Sequence, residues 1–593
     1  MVFGLGPKLN PLRYLDPILL GALALLYGGT LYPYLWWGDG PELLTAAFCN
    51  GVAHPTGYPL YLLLVKVFGW MPIGSLAWKG HLFSSICTLV AIGILFRLWP
   101  LGKKFSWGPV GWRIGLIAMG VSPSVWGNSI LTEVYTLSLL LVVIVVGFSK
   151  TFVRRPTLVR FLVISFAAGI AVGHHRLLGL MVPGLALWLA SAFHDSNRRL
   201  LWFAPGAAFF LFGLLGPYGL IYMRAAADPM LNWENASTLD GFWKLFSAHQ
   251  FTTDQQLVRI LGGASFSTDP LITDLKDNLG LLLVFSAVGC GFVGLQRPRL
   301  LIAGLIAWSL PIVFISQYSV ADAATLFLLP NFLLGLVAAF GLGKCLGWAG
   351  ERSRPALAGL VVLSVVFLVY RVTTFPQPEG KLAELPERYA RRALDATSPG
   401  SVLFAVPATY RDAVDYTYYP LLYQHQVAHR NKSVALISEG YFTSPWYRGT
   451  LAAQGLPVDL FEVLESGNEE VPLKELDLET YLKDEAPEVS ERRDRGERVL
   501  GIYRVGDRHY LAGPETLSKL LADHLIAKLP DRTFYFTQPL HGLEGFMRGA
   551  IDWTETLHLP MITRGFSPLD GKPIPSGKLF RMDLRRLPDH EQE

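Results

Sequence analysis

Two carboxylates three positions apart, Asp39 and Glu42, stand in the run Gly-Asp-Gly-Pro-Glu-Leu, and His54 follows in Ala-His-Pro-Thr-Gly-Tyr-Pro, which also holds Tyr58. Either carboxylate can take the proton of an attacking hydroxyl, and a turn fixed by Gly and Pro can hold it in place. A plainer reading competes for Asp39, whose side chain can cap a helix that begins near Glu42. Further along, Glu133 lies in Thr-Glu-Val-Tyr-Thr, and His174, His175 and Arg176 are consecutive. Arg224, Asp228, Asn232 and Trp233 share one stretch, and Asp322 ends Tyr-Ser-Val-Ala-Asp. A guanidinium can grip a phosphate through two N–H groups, so Arg176, with Arg224 or His174, suits an anionic leaving group. Adjacent helical residues point about 100° apart, which makes His174 and His175 a poor metal pair. Cys49, Cys87, Cys290 and Cys345 lie far apart and supply no metal or disulfide spacing. No cofactor is expected; metal dependence stays open.

The elements that must position these groups are membrane helices. Of 593 residues only 17% are charged and 51% are hydrophobic, which excludes an ordinary soluble protein of this size. Residues 1–374 hold 25 Lys+Arg and 14 Asp+Glu, against 26 and 33 in 375–593, so the greasy part is basic and the rest acidic. Eleven apolar stretches are expected to span, near 16–35, 80–99, 112–131, 134–149, 158–174, 177–193, 201–223, 279–296, 300–317, 324–343 and 356–374. The run 58–71 is too short and is expected to lie at the interface. Gly28-Gly29 in the first stretch suggests close helix packing.

With alternating spans, seventeen Lys and Arg fall on one side and eight on the other, so the amino terminus is expected in the cytoplasm and 375–593 outside it. Asp39, Glu42, His54, Glu133, His174–Arg176, Arg224–Trp233 and Asp322 then all face the non-cytoplasmic side. Such one-sided polarity suggests a cavity that does chemistry there. The domains are expected as 1–374, transmembrane, and 375–593, a soluble α/β domain. In the latter, strand-like runs 401–406, 432–438, 499–505 and 533–538 alternate with helical stretches 385–396, 444–455 and 515–529. Asp412 and Asp415, amid Tyr410, Tyr416, Tyr418, Tyr419 and Tyr423, can hold a sugar or an acceptor, or pack against the membrane part. The run 482–498 reads as a solvated insertion. No basic stripe points to nucleic acid.

The run 38–64 resembles the opening signature of a large family of bacterial multi-spanning proteins that includes an animal endoplasmic-reticulum O-mannosyltransferase acting on plexin-type domains. Trp78–Ser84, Thr132–Leu137, Gly173–Arg176, Arg224–Trp233, Tyr318–Asp322 and Pro330–Phe332 look like its later blocks. Two departures stand out: His175-Arg176 replaces a His-plus-apolar run, and Glu234 stands where a glycine is common. The resemblance implies a GT-C-type fold and a glycosyltransferase taking a sugar, mannose among the candidates, from a polyprenyl-phosphate carrier. A protein or glycan would accept it, on the non-cytoplasmic face of a bacterial inner membrane. Asp39 or Glu42 would be the base. His54, Tyr58, Glu133, His174, His175, Arg176, Arg224, Asn232, Trp233 and Asp322 would bind substrate. A single displacement would invert the anomeric configuration. The competing class is a transporter or flippase of lipid-linked glycans, which would place ionisable groups near mid-membrane on broken helices.

Overall fold

A computed structural model describes residues 14–375 except 100–105, 194–200, 249–268 and 317–322. It further describes 384–405, 418–438, 441–456 without 443, and the later elements named below. Asp322, Tyr410, Asp412, Asp415, Tyr416 and 482–498 lie outside the described residues. The chain divides into two compact units. The first comprises Met1–Pro33, His54–Met223 and Ala236–Pro378; the second comprises Tyr34–Ala53, Arg224–Asn235 and Glu379–Glu593. Two early pieces of chain thus belong with the carboxy-terminal part.

Among the described residues, the regular elements of the first unit are all helices. Its elements include α1 (Leu15–Thr30), α3 (Pro59–Phe68), α4 (Leu76–Leu98), α5 (Trp107–Gly120), α6 (Pro123–Ser129), α7 (Tyr135–Arg154), α8 (Leu158–His174) and α9 (Val182–Ala190). They continue with α10 (Phe203–Leu215), α11 (Tyr218–Ala226, its last turn in the other unit), α12 (Leu239–Ser247), α13 (Asp269–Asn278), α14 (Leu282–Gln296), α15 (Pro298–Ile315), α16 (Leu328–Arg352) and α17 (Arg354–Thr374). Among the described residues six spans are long and apolar enough to cross a membrane: α4, α7, α10 with α11, α15, α16 and α17. The bent pair of α13 and α14 makes seven. This corrects the expected eleven. Every one of those stretches carries helix, but α1, α8 and the run Arg176–Ala190 fall short of the roughly 20 residues that span a bilayer. The stretch 112–131 breaks between α5 and α6, where Pro123 can start a helix but not continue one. The run 58–71 holds α3, ten residues long, as its length suggested.

Close packing in this unit falls at glycines other than those expected. Gly28 and Gly29 face open space. By contrast, a Cβ on Gly115 would stand 2.6 Å from the Ala339 Cα, and one on Gly111 would stand 2.9 Å from the Gly343 Cα. Those small residues let α5 and α16 meet backbone to backbone. Arg113, 1% exposed, is held by the Asp16 carboxylate and donates to the carbonyls of Phe96, Trp99 and Pro109. It thereby satisfies orphan carbonyls at the end of α4 and neutralises its own charge.

The second unit contains α2 (Gly40–Phe48), α18 (Leu385–Ala396), α19 (Tyr419–Gln426), α20 (Pro445–Ala453) and α21 (Pro514–Lys528). Its main sheet has the order β2-β1-β6-β8-β7: Ala435–Ser438, Val402–Ala405, Phe534–Phe536, Lys578–Met582 and Ile551–Thr556. β1 runs parallel to both neighbours, with Val402 opposite Ala435 and Phe534. Its four residues are all buried, as expected of a strand covered on both faces. β8 is antiparallel to β6 and β7. A separate antiparallel sheet joins β3 (Lys474–Glu475), β5 (Arg508–Ala512) and β4 (Gly501–Val505). Each of the four strand-like runs in the sequence contains one of these strands.

Candidate active site

In the second unit Asp39 occupies the N-cap position of α2 but makes no side-chain cap hydrogen bond. That removes the capping explanation for this residue. Glu42, fully buried, sits in the first turn, where the positive end of the helix favours a carboxylate. The far end of α2 is tied to the Arg224–Asn235 segment. Arg224, 5% exposed, donates through Nη1 to the carbonyls of Ala46 (3.3 Å) and Gly51 (3.2 Å). Its Nε has no hydrogen-bond partner among the described residues. The Val52 amide donates to the Leu231 carbonyl at 2.8 Å, and Val52 pairs with Asn232 as a parallel bridge. A Cβ on Gly51 would stand 2.8 Å from the Leu231 carbonyl oxygen, so the approach demands glycine there.

Asn232 donates to the Ala225 carbonyl (3.2 Å) and to Asp228 (3.3 Å). Trp233 packs its ring 4.6 Å from that of Trp446 and 4.9 Å from that of Tyr441. Tyr418 and Tyr419 join the same aromatic cluster, Tyr419 sharing a 2.6 Å hydroxyl contact with Tyr441. These tyrosines are therefore packing groups around the Arg224–Asn235 segment. Glu234 takes φ +57°, the left-handed region in which glycine is unstrained.

A second cluster lies in the first unit. Tyr58, at φ +42° after Gly57 at φ +81°, turns its ring toward His54 (5.1 Å), His174 (6.1 Å) and His175 (6.2 Å). Tyr61 stacks on His174 and Tyr135 lies 5.5 Å from His175. His174 Nε2 meets the Val134 carbonyl at 3.1 Å, and His175 Nδ1 accepts from the Leu177 amide. His174 is thus held through Nε2 and His175 through Nδ1, while the buried His174 Nδ1 has no hydrogen-bond partner among the described residues. Arg176 is held on three sides: Nε donates to the Phe246 carbonyl (2.9 Å), Nη1 to Val172 (3.0 Å) and Nη2 to the Tyr218 hydroxyl (2.7 Å). Its guanidinium carbon sits 3.7 Å over the Phe246 ring, a cation–π geometry. Half-buried Glu133 lies between Thr132, which hydrogen bonds His81 Nδ1 at 2.8 Å, and Val134.

The expected site residues thus form two groups. Asp39, Glu42, Arg224, Asn232 and Trp233 belong to one unit, and His54, Tyr58, Glu133, His174, His175 and Arg176 to the other. Beside the second group is a cavity of about 390 Å³ with an almost entirely hydrocarbon lining that includes Val145, Ala168, Val172, Leu178, Met181 and Trp188. Val172 and Leu178 flank His174–Arg176 in sequence. No three His, Cys, Asp or Glu side chains among the described residues converge as metal ligands.

Sequence reasoning missed Tyr218 and Phe246, whose aromatic character in apolar surroundings gave no signal. It also missed a buried network in which Asp274 accepts from Asn278 (2.9 Å) and Asn331 (2.5 Å). Asn278 in turn accepts from the Ser124 amide, and Asn331 from Trp308.

Residues 39–198 match the family described as the Protein O-mannosyl-transferase TMEM260 N-terminal domain. Over this stretch the chain is similar to O-mannosyl-transferases. A TMEM260 Protein O-mannosyl-transferase of Dictyostelium discoideum is 27% identical over 301 residues, which are 47% of this chain and 35% of that protein. The Mus musculus protein is 23% identical over 484 residues, 76% of this chain and 66% of that one. The matches therefore span about one third and just under two thirds of these relatives' lengths. Among solved structures, ArnT from Cupriavidus metallidurans bound to undecaprenyl phosphate superposes with a TM-score of 0.49 at 12% identity, covering 85% of this chain and 98% of ArnT. The Archaeoglobus fulgidus oligosaccharyltransferase complex with Zn and sulfate gives 0.42 at 13% identity, covering 74% and 67%.

Proposed function

We propose that the protein is a GT-C-type membrane glycosyltransferase that moves a hexosyl group, with mannose the first candidate, from a polyprenyl phosphate to a protein or glycan hydroxyl. The carrying observation is that the O-mannosyl-transferase match covers the stretch holding Asp39, Glu42, His54, Tyr58, Glu133 and His174–Arg176. In this reading Asp39 takes the acceptor proton as the hydroxyl oxygen attacks the anomeric carbon. The bond from that carbon to the phosphate oxygen breaks, the polyprenyl phosphate leaves, and configuration inverts. Buried Glu42 is the alternative base. Arg176, pre-oriented by three partners, retains N–H groups and a full charge for the departing phosphate, which suits electrostatic stabilisation without reorganisation. His54, Tyr58, Glu133, His174 and His175 shape the donor side, and the 390 Å³ apolar cavity takes part of the isoprenoid tail. Arg224 and Asn232 hold the end of α2, and with Trp233 and Asp322 they complete the substrate-binding set.

We further read the amino terminus as cytoplasmic and both the site and 375–593 as lying on the opposite face. Reconstituted protein given labelled polyprenyl-phosphate mannose and extracytoplasmic acceptors should release polyprenyl phosphate and label the acceptor. Movement of the lipid across the bilayer without transfer would sink the enzyme reading in favour of a flippase. Alkaline phosphatase fused after 374 should be active and after Lys103 inactive; the reverse would overturn the topology.

A further inference from the structure

Helix α12, Leu239–Ser247, has two unlike faces. Its start is capped by Thr238, whose hydroxyl accepts from the Gly241 amide at 3.0 Å. The inner face is well used: Leu245 is buried, and a Cβ on Gly57 would lie 3.1 Å from it. Phe242 and Phe246 pack edge-on to the Tyr218 ring at 5.8 and 5.3 Å, and Phe246 carries Arg176 as described. The outer face presents Leu239, 86% exposed, and Trp243, 63% exposed. Four residues apart, the two side chains point the same way. Asp240 and Lys244 pair beside them at 2.6 Å, so the helix brings no net charge to that face.

We propose that α12 is a bilayer-surface helix, seated in the lipid headgroup boundary through Leu239 and Trp243. The occupant follows from continuity. The span of α10 and α11, on whose Tyr218 this helix rests, leaves Phe209, Leu211, Phe212, Tyr222 and Met223 exposed, and an apolar membrane span shows such a face to lipid. Nine helical residues cover roughly 14 Å, too short to cross the hydrocarbon and suited to lying on it. Tryptophan favours that boundary because its ring is apolar and its N–H finds water or headgroups. The neutral Asp240–Lys244 pair predicts seating without dependence on anionic lipid.

The test uses the full chain in phosphatidylcholine nanodiscs, with its four cysteines replaced and nitroxides placed by Leu239→Cys, Trp243→Cys and, as the polar reference, Asp240→Cys. Collision with oxygen should exceed collision with a water-soluble nickel chelate at 239 and 243, and the order should reverse at 240. Adding phosphatidylglycerol should leave the values unchanged. Higher nickel access at 239 and 243 would put the face in water, and protection from both reagents would mean a protein covers it; either overturns the proposal. If the cysteine-free chain does not fold, wild type and Trp243→Phe are compared in brominated phosphatidylcholine. Loss of a shallow-bromine quenching component in the variant supports the seating, and identical quenching overturns it. Neither arm needs transfer activity, so the proposal stands or falls apart from the glycosyltransferase reading.

Discussion

Replacing Arg224 by Ala tests whether α2 is fixed by its tether or by its own propensity. Arg224 supplies two charged-donor hydrogen bonds to carbonyls at and just beyond the end of α2, at 3.2 and 3.3 Å, and the side chain is buried. Bonds to a charged group contribute about 1.5–3 kcal/mol each; at these long distances the lower figure applies, giving about 3 kcal/mol for the pair. At 1.36 kcal/mol per decade this corresponds to a local opening equilibrium raised about 100-fold. The amides that report it are Gly51, bonded to Ala46, and Val52, bonded to Leu231. Hydrogen exchange of peptides covering 46–52 in detergent should therefore quicken by about two orders of magnitude on that scale, while peptides from α5 and α16 keep their rates. Transfer should fall through kcat as Asp39 and Glu42 lose their fixed positions. Unchanged exchange at 46–52 together with a raised KM for the lipid donor would refute the tether and make Arg224 a phosphate ligand instead.

Asp39→Asn should leave a folded, membrane-inserted protein whose single-turnover transfer is reduced by at least about 100-fold, since no cap bond is lost; retained turnover with a dead Glu42→Gln would move the base to Glu42. Gly115→Val should lower the thermal unfolding temperature in detergent, because even a Cβ there would stand 2.6 Å from the Ala339 Cα; overpacking of this kind costs about 1–3 kcal/mol. Burial, aided by Lys432, holds His425 down to about 4 from its ordinary 6.5. The unfolded chain therefore binds the extra proton, and the second unit loses stability as pH falls from 6.5 toward 4, by about 3 kcal/mol at the end of that window. Proteolysis of the C-terminal part at pH 4.5 against pH 7 should show the loss, and His425→Gln should flatten it.

Long apolar runs made the helices of the membrane part legible, because burial in lipid or protein requires apolar side chains along the whole of each segment. It overstated the number of spans because hydrophobicity does not measure length: α8 reads as a span but has 17 residues. Proximity in the fold was far less legible. Nothing in the sequence around Arg224 announces that its guanidinium belongs to carbonyls at Ala46 and Gly51, and a buried arginine reads equally well as a phosphate ligand. Glycines were misjudged for a similar reason, since Gly28-Gly29 and Gly111 look alike until a facing helix is known. Asp39 and Glu42 could be picked out because carboxylates are conspicuous in apolar surroundings. The aromatic ring and carbonyl of Phe246 that hold Arg176 could not.

The second unit is assembled from pieces that the ribosome delivers far apart in time. Its first piece, Tyr34–Ala53, includes Leu35, whose amide donates to Glu387 at 3.3 Å across 352 residues of chain. At roughly 5–20 residues per second, the loop carrying Asp39 and Glu42 waits about 20–70 s before that partner exists. During that interval most of the hydrophobic helices are already being inserted, and the loop must remain unclaimed by wrong partners. A ribosome stalled between residues 236 and 387 would leave a membrane-embedded chain in which α2 has its Arg224 tether but Leu35 still lacks its Glu387 partner. Activity would then depend on completion of the carboxy-terminal part, even though the residues proposed for the chemistry are encoded in the first half of the gene.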